Sequence, residues 1–233
     1  MRVYAQTKTV LRVSGRPDQL LKGYATNDAD KPETAFVDLK GRVVAVALHR
    51  KLSAEESLLV VGTAYVERLI QHLSKYLPLL DVELRPDPSY RVYLHLEYGV
   101  AENPPDLYVI RHRDCETLLS SAPMDVEVTR AEYDLYRMSR GLAEQGEDFD
   151  EELLLNVYDD SHVSYTKGCF LGQEILARVH HRSHPPKRLA ALTREACPAG
   201  LRAAMTSVAY DPAVGQDRGF VLLPYEQGTA RVQ

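Results

Sequence analysis

The sequence predicts a mixed α+β fold, and three observations carry that reading. Within 63–77, Val66, Leu69, Ile70, Leu73 and Leu77 fall on one face at helical spacing. The runs 34–39, 42–48, 82–84 and 92–96 are β-branched-rich or alternate apolar with other residues, as strands do. Glycine and proline separate these runs at short intervals, which favours small sheets joined by turns over one long repeat.

Taken in order, Val10, Leu11 and Val13 form a strand closed by Gly15, and Pro17 opens a helix through Leu20 and Leu21 that ends near Gly23. The runs 34–39 and 42–48 make a hairpin, with Gly41 supplying the permissive turn backbone. Thr63 stands as N-cap of the 63–77 helix. Pro86-Asp87-Pro88 is turn chemistry between two strands, and Asn103-Pro104-Pro105-Asp106 is a loop before a strand at 107–111. Thr129 and Glu132 are spaced as a capping box for a helix to Met138 that Gly141 terminates. The acidic run Glu144, Glu147, Asp148, Asp150, Glu151 and Glu152 reads as a solvated face or loop. Past Pro185-Pro186, strands at 187–193 and 219–223 indicate a small β lobe. The chain therefore divides into a larger region, 1–185, and an abbreviated C-terminal lobe, 186–233.

Composition narrows the function classes. The chain of 233 residues is 45% hydrophobic and 26% charged, the balance of a soluble globular protein. A formal net charge of −5 argues against a nucleic-acid coat protein. Three widely spaced cysteines, Cys115, Cys169 and Cys197, give neither a disulfide framework nor a complete metal site, and they suit a reducing compartment. The N-terminus lacks an apolar signal core and no stretch reaches membrane-span length, so the expected location is the cytoplasm.

The chemistry concentrates in 164–178. Ile175, Leu176 and Val179 set one face of a helix starting near Gly172, with Cys169 just before it in a glycine-flanked loop. A helix N-terminus and the nearby Lys167 both favour thiolate, which makes Cys169 a candidate reactive or metal-ligating sulfur. A buried structural cysteine is the alternative on physics alone. Cys115 and Cys197 lack such surroundings and read as structural.

Lys167-Gly168-Cys169-Phe170-Leu171-Gly172-Gln173-Glu174 resembles the K-G-C-(Y/F)-x-G-Q-E signature of the YgfZ branch of the YgfZ/GcvT family, relatives of the glycine-cleavage T-protein. Segments 20–28, 36–43 and 137–144 resemble the family's FLQGQLTND, KGR and R-I-x-x-G elements, so the likeness runs in order over roughly 8–194. The resemblance implies three lobes around a central opening that binds a folate, with a short, β-barrel-like C-terminal lobe. It implies tetrahydrofolate or a derivative, with or without a polyglutamate tail, as cofactor. The implied role is an accessory factor for iron–sulfur cluster assembly or repair that supports tRNA modification indirectly and meets client or assembly proteins transiently. Cys169 is then the functional thiol and Lys167 its electrostatic partner.

Pterin edges suit carboxylates and amides, so Glu174, Gln173, Asn27 and Asp28 are folate candidates, with Arg178 beside them. Each also has an ordinary reading: Asn27 and Asp28 as turn residues, Glu174 as a first-turn acid. The 177–194 stretch holds Arg178, Arg182, Lys187, Arg188 and Arg194 with no acid, which suits a polyglutamate tail, RNA phosphates or simply a solvated face. His180 and His184 have i,i+4 spacing, but Pro185-Pro186 follows and no carboxylate completes a metal set. No recognisable RNA-binding signature is present, so direct nucleic-acid binding is not expected, and with no heptads the chain reads as a monomer. The competing activity is an aminomethyltransferase acting on tetrahydrofolate. T-proteins place acids in a G-G-x-x-D-D hairpin, and here the matching run, Gly41-Arg42-Val43-Val44-Ala45-Val46, has none. Whether the protein is an enzyme at all stays open at the level of sequence.

Overall fold

A computed structural model describes residues 1–100 and 107–225. In chain order the N-terminal elements are β1 (Val3–Ala5), β2 (Lys8–Gly15), α1 (Pro17–Tyr24), β3 (Glu33–Val37), β4 (Val43–Lys51) and β5 (Glu56–Gly62). Then come α2 (Val66–Leu73), α3 (Leu77–Leu80), β6 (Val82–Pro86), β7 (Arg91–His95), β8 (Leu107–His112), β9 (Cys115–Ser120) and α4 (Arg130–Arg140). The chain continues through α5 (Leu154–Val157), α6 (Gln173–Arg182), β10 (Lys187–Thr193), β11 (Thr206–Asp211) and β12 (Gln216–Pro224).

The strands form three antiparallel sheets, ordered β3-β4-β5-β2-β6, β1-β7-β9-β8 and β10-β12-β11. Strand alternation explains the layering. On β2, Leu11 and Val13 face α1 and α2 through Leu20, Leu21, Leu69 and Leu73. Val10 faces the other way, meeting Leu48, Leu58 and Val60 of its own sheet and Val92, Ile110 and Leu119 of the four-stranded sheet. The five-stranded sheet is therefore buried on both faces, helices on one side and a second sheet on the other.

Most of the predicted elements form. The hairpin turns at Gly41 (φ 73°). The Thr129–Glu132 capping box is present in both directions and Gly141 closes α4 in the left-handed conformation. Three readings need correction. The 63–77 helix is a 3-10 turn followed by α2 and, after a break, α3. Thr63 caps nothing there, because its hydroxyl bonds Thr9 Oγ1, and Pro78 lacks the N–H that would continue α2. The acidic run is not simply solvated, since Asp148 is buried. The C-terminal lobe gains β11, and its three strands leave two sheet edges, too few to close a barrel among the described residues. The predicted 103–106 loop lies outside the described residues. No helix among them is long and apolar enough to cross a membrane.

Candidate functional site

The signature segment packs where α1 ends. Leu171 N–H donates to Gly23 O, and Ser164 N–H donates to Thr26 O. Between these anchors the buried Lys167 ammonium donates to Leu21 O, Ala25 O and Asn27 O, each at 2.7 Å. Leu21 O also accepts the C-cap Ala25 N–H, and all three carbonyls lie at or just past the C-terminal end of α1, where the helix dipole favours a cation. Lys167 thus fastens the loop to α1, rather than pointing only at Cys169 as an electrostatic partner would. Burial pulls its pKa down to about 8, and Asp28 opposes that pull.

Cys169 is exposed, while Cys115 and Cys197 are buried. Phe170, next to it, is buried in the cluster that joins β3 to α5 and α6. One side chain is thus anchored and the next is presented to solvent. Gly172 makes this possible. It is the N-cap of α6 at φ 83°, and a Cβ there would sit 2.4 Å from Asp38 O and 2.7 Å from a Val37 methyl. Gly172→Ala is expected to cost about 2 kcal/mol or more in urea unfolding, from the left-handed backbone and the clash together. An unchanged midpoint would refute this account of the loop.

The remaining predicted residues separate into two groups. Asn27 is buried, and its amide donates to Glu33 O (2.7 Å) and Ser161 O (2.6 Å) while its own oxygen accepts from Asp28 N. With Asp28 and Lys167 it forms one knot under the loop. Glu174 and Arg178 are exposed and pair with each other on α6 at 2.7 Å, with Gln173 half-buried at the start of that helix. The basic stretch is likewise divided. His180 stacks on Tyr165, His184 on Tyr225, and Lys187 pairs with Glu152. Among the described residues no group of three or more His, Cys, Asp or Glu is placed to hold a metal ion.

None of these residues lines the cavity between the two larger sheets. That space, about 280 Å³, opens where the five- and four-stranded sheets diverge under α4. Its wall takes Lys8 from β2, Glu33 from β3, Val46 and Leu48 from β4, His112 from β8, and Tyr133 and Arg137 from α4. Gln6, Val60, Arg130, Tyr158 and His162 line it too, with Glu144 and Gln145 from the loop after α4.

Two charge networks shape the wall. The fully buried Arg137 donates to Asp134 (2.6 Å), Asp148 (2.7 Å), Leu142 O (3.0 Å) and Ser207 (2.7 Å). Beside it Tyr133 donates to Glu144 at 2.5 Å and accepts from Gln6 at 2.8 Å. Burial, then the Glu144 charge, pushes the Tyr133 hydroxyl well up, so it stays a donor. In the second network Glu33 lies 2.9 Å from Arg113 and within 4 Å of His112 and His162. Burial alone would raise the Glu33 carboxyl. The neighbouring His112 and His162 rings and the Arg113 charge outweigh it and hold Glu33 below the usual carboxylate range. Burial pushes His162 the other way, down to about 4.

Sequence reasoning reached Arg137 and Glu144 within 137–144, the segment similar to R-I-x-x-G, but gave neither a site role. It missed Lys8, Glu33, His112, Tyr133 and His162, which stand on separate elements and form no linear motif.

No protein-family model matches the sequence. The fold is that of glycine cleavage system aminomethyltransferase T. The Bartonella henselae structure superposes with a TM-score of 0.70 at 13% identity, over 95% of this chain and 78% of that one. In sequence, the chain resembles iron–sulfur cluster assembly factors. It is 27% identical to the mitochondrial IBA57 homolog of Mycosarcoma maydis over 221 residues, 79% of this chain and 55% of that protein. Mitochondrial IBA57 of Homo sapiens is 28% identical over 225 residues, 78% of this chain and 63% of that protein. The chain thus spans little more than half to under two thirds of the length of these relatives.

Proposed function

We propose that this protein is a folate-binding accessory factor for iron–sulfur cluster assembly or repair, acting through the Cys169 thiol. The observation that carries the reading is the presentation of Cys169. It is exposed on a loop held by the buried Lys167, while the other two cysteines are buried. Thiolate is the natural protein ligand of iron–sulfur chemistry. One cysteine does not hold a cluster alone, so the contact is transient and shared with a partner. The eight-residue signature around Cys169 supports the YgfZ branch, and the iron–sulfur assembly relatives support the process. Support of tRNA modification would follow indirectly, through iron–sulfur enzymes. We take the protein to act as a monomer in a reducing compartment; the sequence reading gives the cytoplasm, whereas the relatives are named mitochondrial.

The cavity suits a reduced folate. Its volume takes a fused heterocyclic ring and not the whole molecule. Its acceptors, Glu144, Glu33 and the otherwise unpartnered Gln6 Oε1, match the amino and amide N–H edge of a pterin. When bound, the folate would supply nitrogens able to carry a one-carbon unit. Against an aminomethyltransferase stands β4, which gives the wall Val46 and Leu48 and no carboxylate where the transferase hairpin has acids.

The test is complementation of cells lacking their own YgfZ-type protein, reading the activity of an iron–sulfur enzyme at matched expression. Wild type is expected to restore activity and Cys169→Ala to fail. Equal rescue by both would remove Cys169 from the function.

A further inference from the structure

One cation on the cavity wall has no partner of its own among the described residues. Arg130 is engaged by Asp134 and Glu147, and Arg137 by Asp134 and Asp148. The Lys8 ammonium makes neither a hydrogen bond nor an ion pair there. Its position is fixed by the sheet. Lys8 opens β2 opposite Gly62 and shares a face with Val10, the face turned toward the four-stranded sheet. The side chain therefore enters the space where the two sheets part, next to Val46, Val60 and Glu144. Burial outweighs the pull of Glu144 and lowers the Lys8 pKa from its ordinary value. Lys8 is half-buried, an ammonium withdrawn from water without a hydrogen-bond partner costs stability, and no described contact of the fold requires it.

The other polar groups near it define what it complements. Glu33, Glu144 and Gln6 Oε1 all accept hydrogen bonds, so they recognise the N–H edge of a ring. Tyr133, Arg130 and Arg137 already donate to carboxylates, so Lys8 supplies a donor that the fold leaves unengaged. We propose that Lys8 is a ligand-binding residue that holds the ring carbonyl oxygen of an amino-substituted heterocyclic lactam, whose N–H edge faces the carboxylates. This rests on the reading of the cavity as a folate site and assigns the pterin ring, not the glutamate tail, to Lys8.

The experiment is equilibrium binding of 5-formyltetrahydrofolate and of 6-methyltetrahydropterin, which lacks the tail, to wild type and Lys8→Met. Loss of a charge-assisted hydrogen bond should weaken both probes by about 10- to 100-fold. Because Lys8 gives up no partner, the variant's thermal midpoint should not fall below that of wild type. In parallel, limiting acetic anhydride should acetylate Lys8 in the free wild-type protein, and 5-formyltetrahydrofolate should protect it, read by peptide mass spectrometry. Weakening of 5-formyltetrahydrofolate alone would assign Lys8 to the tail and overturn the proposal. So would unchanged binding of both probes or absent protection, with the folate reading left standing. If wild type binds neither probe, the folate reading falls and takes the proposal with it.

Discussion

Replacing Arg137 with methionine should lower stability by about 3–5 kcal/mol, because it strands the buried Asp148 carboxylate and does not merely lose a contact. The guanidinium is 1% exposed and joins three parts of the chain. It binds Asp134 on its own helix, Leu142 O and Asp148 in the loop beyond α4, and Ser207 on β11, and it lies over the Tyr133 and Phe220 rings. Asp134 would keep Arg130. Asp148 would keep only the Thr206 and Ser207 hydroxyls and the Glu144 N–H. Urea unfolding of Arg137→Met should show the lowered midpoint, and adding Asp148→Asn should recover part of it by removing the stranded charge. A midpoint within error of wild type would show that the network carries little. No recovery in the double variant would show that the cost lies elsewhere, for example in lost packing on Phe220.

The same network shows where the sequence was legible and where it was not. Local signals read correctly where their physics is local. Thr129, Glu132 and Gly141 bracket α4 because capping acts within a few residues, and Gly41 marks the β3–β4 turn for the same reason. Sheet membership is not local. The strands on either side of Pro86-Asp87-Pro88 alternate in the same way, yet β6 pairs with β2 and β7 pairs with β1 and β9 in another sheet. Asp148 looked solvated because its partner, Arg137, stands on α4 beyond a glycine turn, at a separation that no local pattern pairs. The candidate site divides along the same line. Cys169 and its loop were readable because they form one contiguous signature. The cavity was not, since Lys8, Glu33, His112 and Tyr133 converge only after two sheets and a helix assemble.

Acidification should destabilise the protein well above the range in which carboxylates protonate. His49 and His162 are both buried, and burial pulls each from its ordinary 6.5 down to about 4. For His49 the Asp18 charge opposes that pull, and for His162 the Glu33 charge does, in neither case enough to cancel it. The unfolded chain takes up these protons as pH falls through 6.5, while the folded chain does so only near 4. Stability is therefore full above 6.5 and is lost as pH falls toward 4. Between pH 7 and pH 5 each histidine should remove about 2 kcal/mol, and the pair about 4 kcal/mol. Burial depresses His112 as well, so it adds to the loss in the same direction. Glu33, held below the usual carboxylate range, adds its share at lower pH. Urea titrations at pH 7, 6 and 5 should show the fall, and His162→Gln should flatten it by roughly half, because glutamine binds no proton in either state. A stability that stays level from pH 7 to pH 5 would mean that both histidines reach water in the native state. The enclosure of the cavity's His162 wall would then have to be given up along with the prediction.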